Sequence, residues 1–63
     1  MKNNDILILD SGLYSGTNED GKSCIIQRQK GFGYTISTPQ DNGWYEVKEY
    51  NEEGIFESVT YEK

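Results

Sequence analysis

The chain has 63 residues, of which 33% are hydrophobic and 13% aromatic, and a net charge of −5. A chain of this length forms one domain at most and buries only about 60% of its unfolded surface, so 1–63 is interpreted as a single domain. With Cys24 as the only cysteine and no histidine, an internal disulfide is excluded, and neither a metal nor another cofactor is expected. Self-association as a homodimer is expected to supply the burial that one copy lacks.

The charge is divided unequally between the two halves of the chain. Residues 1–32 carry four cations and four carboxylates, whereas residues 33–63 carry two cations and seven carboxylates. All of the net negative charge therefore lies in the second half, which favours a protein partner with a basic surface over contact with phosphate groups. The alternative is that these carboxylates only maintain solubility.

The first predicted strand is the apolar run at 5–9. Its aliphatic residues, Ile6 to Leu9, are far fewer than the roughly 18 that a membrane span needs. No cleavage site of a secretory signal follows them. We therefore expect no membrane contact and, with a single unpaired thiol, a cytoplasmic location. The stretch Asp10-Ser11-Gly12 then predicts a tight turn.

The rest of the chain consists of short segments rich in Ile, Val, Thr and Tyr, separated by glycine- and Asx-rich turns. None of the segments has a helical apolar period, and such segments are typical of strands. The predicted strands lie at 13–17, 22–30, 33–38, 44–51 and 55–62. The predicted fold is therefore all-β: an antiparallel meander of five to six short strands that forms a compact sheet or a partly open barrel.

Two of the turns share a sequence pattern. Asn18 and Asn51 each come three residues before a glycine, Gly21 and Gly54. This spacing is typical of a three-residue hairpin loop, in which a type I turn is followed by a left-handed glycine and the Asn side chain caps the turn. A further reversal is predicted at 38–43, where a proline precedes an Asn-Gly pair.

The loop type places Asn51 opposite Ile55 and so fixes the register of the last hairpin. This register predicts Val47 opposite Val59 and Tyr45 opposite Tyr61, with a core face that holds Tyr45, Val47, Ile55, Val59 and Tyr61. The opposite, outer face then holds Trp44, Glu46, Lys48, Tyr50, Phe56, Ser58, Thr60 and Glu62. A two-residue loop would shift the register and exchange the two faces.

Three large aromatic residues among charges on one predicted face are typical of a protein interface. We therefore predict that Trp44, Tyr50 and Phe56 anchor a protein partner. The carboxylates expected to steer the encounter are Glu46, Glu49, Glu52, Glu53 and Glu57. The alternative is that the three rings only stabilise the sheet through cross-strand pairs.

The stretch Lys30-Gly31-Phe32-Gly33-Tyr34 resembles the Lys-Gly-Phe-Gly-Phe run of cold-shock domains, and a Thr-Pro pair follows shortly after it. The resemblance implies that Phe32 and Tyr34 stack on the bases of single-stranded nucleic acid and that Arg28 and Lys30 contact phosphates. The four positions have the same parity, so they would share one face of an extended strand. The alternative is a strand bent at its glycines.

No catalytic residue is expected, and the protein is predicted not to be an enzyme. Without histidine the chain lacks the commonest general base, and Cys24 has no visible activating partner. The main functional hypothesis is a small, acidic, non-catalytic binding protein of the phage or mobile-element type, an inhibitor that occupies the surface of a host defence protein. The alternatives are a single-stranded nucleic-acid binder of the cold-shock type and a structural subunit of a homo-oligomer.

Overall fold

The computed structural model describes residues 6–18 and 20–63. In these residues five strands form one antiparallel sheet: β1 (Gly12–Thr17), β2 (Ser23–Gln29), β3 (Gly33–Pro39), β4 (Tyr45–Tyr50) and β5 (Phe56–Glu62). Their spatial order is β1-β2-β3-β4-β5, so each strand pairs with its neighbour in sequence. The predicted all-β meander is confirmed, and the sheet is open, with β1 and β5 as its edges.

The predicted strand at 5–9 is wrong for the part of it that the structure describes. Ile6 and Leu7 are helical and the chain turns at Ile8, where the Leu9 amide donates a hydrogen bond to the Ile6 carbonyl oxygen over 3.1 Å. Asp5 lies outside the described residues. Ile6 is buried against the sheet and Leu7 packs beside it, so the start of this run covers the sheet instead of extending it, whereas Ile8 is exposed. None of the described residues belongs to a helix with the length and apolar character needed to cross a bilayer.

The two loops with the shared pattern have the same geometry, as predicted. In each loop the Asn side chain, Asn18 or Asn51, accepts hydrogen bonds from the amides two and four residues later, over 2.9–3.0 Å. The glycine three residues after the Asn has a positive φ, 82° in Gly21 and 83° in Gly54. Glycine takes this conformation without the steric cost that other residues meet. The loop residues therefore determine the turn geometry and the first residue pair of each hairpin.

β5 contains one inserted residue, Glu57. Tyr50 lies opposite Phe56, as the loop geometry requires, whereas Glu49 already lies opposite Ser58. Glu57 consequently has no partner of its own on β4 and forms a β-bulge. Because side chains alternate between the two faces of a sheet, an inserted residue moves every later residue of the strand to the opposite face.

The bulge overturns the predicted register beyond the first pair. The predicted pairs Val47–Val59 and Tyr45–Tyr61 are wrong for this reason. The observed register pairs Val47 with Thr60, Tyr45 with Glu62, Lys48 with Val59 and Glu46 with Tyr61. Val59 and Tyr61 therefore share a face with Phe56, while Tyr45 and Val47 point to the other face.

The core lies on the side of the sheet that was predicted to be the outer one. Its buried residues are Ile6, Cys24, Ile26 and Tyr34, and partly buried side chains around them include Tyr14, Ile36 and Tyr50. Tyr50 stacks on Tyr34 with ring centroids 4.7 Å apart. Tyr45, predicted to be in the core, is exposed on the opposite side. We call the side of Ile26, Ile36 and Tyr50 the inner face, and the side of Ile25, Ser37 and Val47 the back face.

Candidate protein-binding surface on the edge strand

An exposed apolar row follows β5 on the inner face. Phe56 is 50% exposed, Val59 42% and Tyr61 56%. The register places all three on the inner face, in line along an edge of the sheet. Trp44, which is 38% exposed, comes just before β4 and has the Lys63 ammonium 5.8 Å from the centre of its ring, so it ends the row. We call Trp44, Phe56, Val59 and Tyr61 the β5 stripe.

Contacts with β4 hold two rings of the β5 stripe in place. Phe56 meets Tyr50 edge to face, with ring centroids 5.7 Å apart. The Tyr61 hydroxyl donates a hydrogen bond to the Glu46 carboxylate over 3.0 Å. This hydrogen bond raises the pKa of Tyr61, because the adjacent carboxylate disfavours the phenolate. The stripe is therefore ordered by the protein itself, before any partner binds.

Three exposed carboxylates lie along the same edge of the sheet as the β5 stripe. Glu53 lies in the loop before β5, Glu57 in the bulge and Glu62 at the end of the strand. None of the three forms a salt bridge with another described residue. Glu46 is partly buried, and its carboxylate lies 3.6 Å from the Lys48 ammonium. The four carboxylates outnumber the two ammonium groups nearby, Lys48 opposite Val59 and Lys63 over Trp44, so this edge of the sheet carries a net negative charge.

Three residues that were predicted to bind a partner lie outside this surface. Tyr50 is partly buried in the stack with Tyr34. Glu49 lies on the back face and accepts a hydrogen bond from the Ser58 hydroxyl over 2.7 Å. Glu52 is held in an ion pair within the chain. Of the predicted set, the structure therefore brings together Trp44, Phe56, Glu46, Glu53 and Glu57.

Glu52 pairs with Arg28, whose side chain is buried beneath the turn between β2 and β3. The pair is bidentate: the distances from Nη1 to Oε2 and from Nη2 to Oε1 are both 2.9 Å. Nη1 also donates to the Gly33 carbonyl oxygen over 2.8 Å, and Nη2 to the Leu7 carbonyl oxygen over 3.1 Å. The hydrogen bonds between the two side chains raise the pKa of Arg28 and lower the pKa of Glu52. One cation thus joins the N-terminal turn, β2, β3 and the loop that begins β5.

The predicted nucleic-acid platform does not form one accessible face. Arg28 and Tyr34 are only 1% and 3% exposed. Neither a phosphate nor a base reaches them, which contradicts the role that the resemblance to cold-shock domains implies. Burial also raises the pKa of Tyr34 to about 12. Lys30 and Phe32 are exposed, but they lie in or beside the turn between β2 and β3.

The glycines of this stretch have a structural role instead. A side chain at Gly33 would overlap the Tyr50 carbonyl oxygen and would place its Cβ 2.7 Å from the Asn51 carbonyl carbon. The absence of a side chain therefore lets the end of β4 lie against the start of β3. This close approach brings the loop that carries Glu52 over Arg28, in agreement with the interpretation of the stretch as a strand shaped by its glycines.

Other features of the described residues offer little chemistry. Within 6–18 and 20–63, no three side chains of the His, Cys, Asp or Glu type are grouped so that they could hold a metal ion. Burial raises the pKa of the Cys24 thiol, which keeps it protonated and unreactive. A cleft on the inner face, lined in part by Ile6, Ile36 and Lys48, has a volume of about 160 Å³. Sites for small ligands are usually larger, from about 300 Å³.

Val59 and Tyr61 belong to the surface, although the predicted register assigned them to the core. The sequence does contain a signal: its apolar residues at 56, 59 and 61 break the alternation of a strand once, as an inserted residue does.

No family model, curated protein or solved structure matches the chain. Its function is therefore inferred from the geometry of the surface.

Proposed function

We propose that the protein is a non-catalytic binding protein that covers a basic surface of another protein with its β5 stripe. The observation that supports this is the exposure of four large apolar side chains in one row, flanked by carboxylates that make no salt bridge within the described residues. An apolar, aromatic-rich centre with a charged rim is the usual composition of a protein interface.

The protein's own core leaves this row uncovered. Among the described residues four hydrophobic side chains are buried, whereas ten large ones are exposed. Single exposed apolar residues are ordinary, but a contiguous row marks an interaction site. Trp44 and Tyr61 are of the residue types that dominate the energetics of interfaces. Because Phe56 and Tyr61 are already ordered by Tyr50 and Glu46, binding costs less conformational entropy.

The charge of the surface selects the chemistry of the partner. Glu53, Glu57 and Glu62 attract a cationic surface, accelerate its association and repel nucleic acid and other acidic chains. A partner that is basic because it binds nucleic acid would lose that ability when covered. Small inhibitors encoded by phages and other mobile elements act on host defence proteins by such occupation, and the proposal assigns the protein to this functional type.

Affinity capture with matched variants tests the proposal. Immobilised wild-type protein is compared with Phe56→Ala/Tyr61→Ala, which removes two side chains of the stripe, and with Leu13→Ala/Ile25→Ala, which removes exposed apolar side chains from the back face. We expect a basic protein from the host lysate to be retained by the wild type and the back-face variant. The stripe variant should bind it more than about tenfold less tightly, since loss of an interface hot spot costs roughly 2 kcal/mol.

Circular dichroism establishes first that both variants are folded. Retained protein should elute as salt is raised, because the carboxylates contribute to the attraction. The proposal would be contradicted if both variants lost retention of the partner equally, or if the retained protein were acidic.

A further inference from the structure

We infer that the partner binds by adding a strand to the sheet: an extended basic segment of the partner pairs with the outer side of β5. This inference rests on the proposed function and specifies the chemistry of the partner at the same site. β5 is the last strand in the sheet order, so the N–H and C=O groups on its outer side have no strand neighbour among the described residues. Such an edge is a template for another strand.

β5 lacks most of the features that normally block an edge strand. Proteins protect their edges with proline, charged side chains, lysine above all, bulges or very short strands. β5 has no proline or lysine, and its two carboxylates and its bulge lie near its ends, at Glu57 and Glu62. Residues 58–62 therefore continue as a regular edge beyond the bulge.

The other edge of the sheet, β1, is less suited to a basic partner. β1 contains two glycines and no charged side chain, and Leu13 is its one large exposed hydrophobic residue. Glycine weakens strand pairing because it has no side chain to pack against a neighbour. Apolar side chains and carboxylates occur together at β5, and this combination distinguishes the two edges.

Charge favours a basic segment over a second copy of this chain. Residues 53–63 contain Glu53, Glu57 and Glu62 and one cation, Lys63, which lies over the Trp44 ring at the end of the strand. Two copies paired through β5 would bring both sets of carboxylates together, which is unfavourable. A strand that carries lysine or arginine gains attraction at the same positions.

The two faces of β5 predict the side-chain pattern of the added strand. Val59 and Tyr61 line the inner face, whereas Ser58, Thr60 and Glu62 line the back face. Side chains of neighbouring strands lie beside those on the same face. The added strand should therefore alternate apolar residues, on the inner face, with lysine or arginine, on the back face.

A synthetic peptide of alternating valine and lysine provides the probe. It is titrated into the full chain, and binding is followed by the fluorescence of Trp44, the only tryptophan. Two further peptides have the same side chains but carry N-methyl groups on all valines or on all lysines. Since successive residues of an extended peptide direct their N–H groups to opposite edges, each methylated peptide keeps one edge able to pair.

We expect the unmodified peptide and one methylated peptide to bind, and the other methylated peptide to bind at least tenfold more weakly. The valines place their side chains on the inner face, and pairing with β5 fixes the direction of the peptide strand. A given face and direction leave only one edge of the peptide, with one set of N–H groups, able to face β5. Alternate amides of β5 should exchange hydrogen at least tenfold more slowly in the complex. The outward-facing amides of β1, which exchange without unfolding of the protein, should be unchanged and serve as the internal control.

Equal binding of the two methylated peptides, or protection of the outward-facing amides of β1 instead of those of β5, overturns strand addition. Either result leaves the proposed function intact, since capture tests that function with a folded partner. Failure of the unmodified peptide to bind at low salt also overturns the inference. The variant Glu57→Gln/Glu62→Gln should weaken binding of the unmodified peptide severalfold, and unchanged affinity would overturn the selection of a basic strand. Conversely, if the stripe variant retains the partner as tightly as the wild type does, the proposed function is contradicted, whatever the peptides show.

Discussion

Arg28 illustrates how one buried cation determines the position of a distant loop. A charge in the protein interior is costly unless it is paired and hydrogen-bonded. Here Glu52 supplies both carboxylate oxygens, and Oε2 also accepts a hydrogen bond from the Gly31 amide over 3.1 Å. The loop between β4 and β5 is thereby tied to the turn between β2 and β3. Because β5 starts from this loop, the ion pair also positions the proposed binding edge.

We predict that Glu52→Gln lowers the free energy of unfolding at neutral pH and that the loss disappears in acid. The hydrogen bonds from Arg28 lower the pKa of Glu52 in the folded protein, whereas glutamate in the unfolded chain titrates near pH ~4.3. The stability that this pair contributes is therefore present above that pH and is lost as the pH falls through the lower folded pKa. Denaturant unfolding of both proteins across the acid range measures the difference.

Glu53→Gln is the matched control for this prediction, because Glu53 is the next residue, is exposed and forms no salt bridge with another described residue. At neutral pH it should leave the free energy of unfolding unchanged or raise it slightly, because it removes a repelling charge and no ion pair. A difference between wild type and Glu52→Gln that stays constant from neutral pH into acid would show that the ion pair is not its source.

Burial of Arg28 could not be predicted from the sequence for a physical reason. Charged side chains on strands are ordinarily exposed, and the partner of Arg28 lies 24 residues away in a loop. No local pattern connects the two. Cys24, in contrast, is buried as cysteines ordinarily are, because a small apolar side chain needs no distant partner.

At the scale of the elements, the last hairpin shows where local sequence ceases to determine structure. The loop was predicted correctly because Asn51 and Gly54 act within a few residues of each other. The bulge at Glu57 was not predicted, since the pairing partners of β5 depend on how β4 packs. One inserted residue moved Val59 from the predicted core to the β5 stripe. Strands β1 to β5 were thus predictable, whereas the predicted strand at 5–9 and the predicted composition of the candidate surface were wrong.

We predict that alanine at Gly33 destabilises the protein far more than alanine at Gly21. Gly21 has a φ of +82° and no atom within 4 Å of an added Cβ, so the substitution costs only the left-handed conformation, roughly 1–2 kcal/mol. At Gly33 the added methyl group would also overlap the Tyr50 carbonyl oxygen. Either β4 moves away from β3 or the chain fails to fold.

Urea unfolding of the two variants beside the wild type measures the contrast. Similar midpoints for Gly33→Ala and Gly21→Ala would mean that β3 and β4 separate at little cost, and that the close approach at Gly33 is not a constraint. Amide exchange of β5 in Gly33→Ala gives a second readout, since displacement of the end of β4 should also expose the loop before β5.

The molecule as a whole combines a small core with an uneven charge. The homodimer expected from the chain length stays a prediction. The carboxylates beside β5 oppose pairing of two copies through that edge, which leaves the β1 edge and the back face as the surfaces where copies could meet. A basic partner and a second copy would then occupy different parts of the sheet.

We predict that salt stabilises the isolated protein and weakens its complex with the valine–lysine peptide. The chain has a net charge of −5 and its described residues measure 32 × 20 × 18 Å, and the Debye length is about 10 Å at 0.1 M salt. Added salt therefore screens repulsion among the carboxylates, whereas the buried pair of Arg28 and Glu52 is screened less. Each kcal/mol gained raises the melting temperature by roughly 4–8 °C.

The same ions weaken the attraction between the carboxylates at β5 and the lysines of the peptide. Melting temperatures and peptide affinities across a series of sodium chloride concentrations measure the two effects. In the variant Glu53→Gln/Glu57→Gln, the melting temperature and the peptide affinity should both depend less on salt. The two charges removed contribute to the repulsion within the chain and to the attraction of the partner. A melting temperature that falls with salt would contradict the expected stabilisation of the free protein. A peptide affinity that rises with salt would contradict the expected weakening of the complex. We expect the melting temperature to rise and the peptide affinity to fall with salt, and the same two substitutions should reduce both effects. That result would link the charge that destabilises the free chain to the charge that selects its partner.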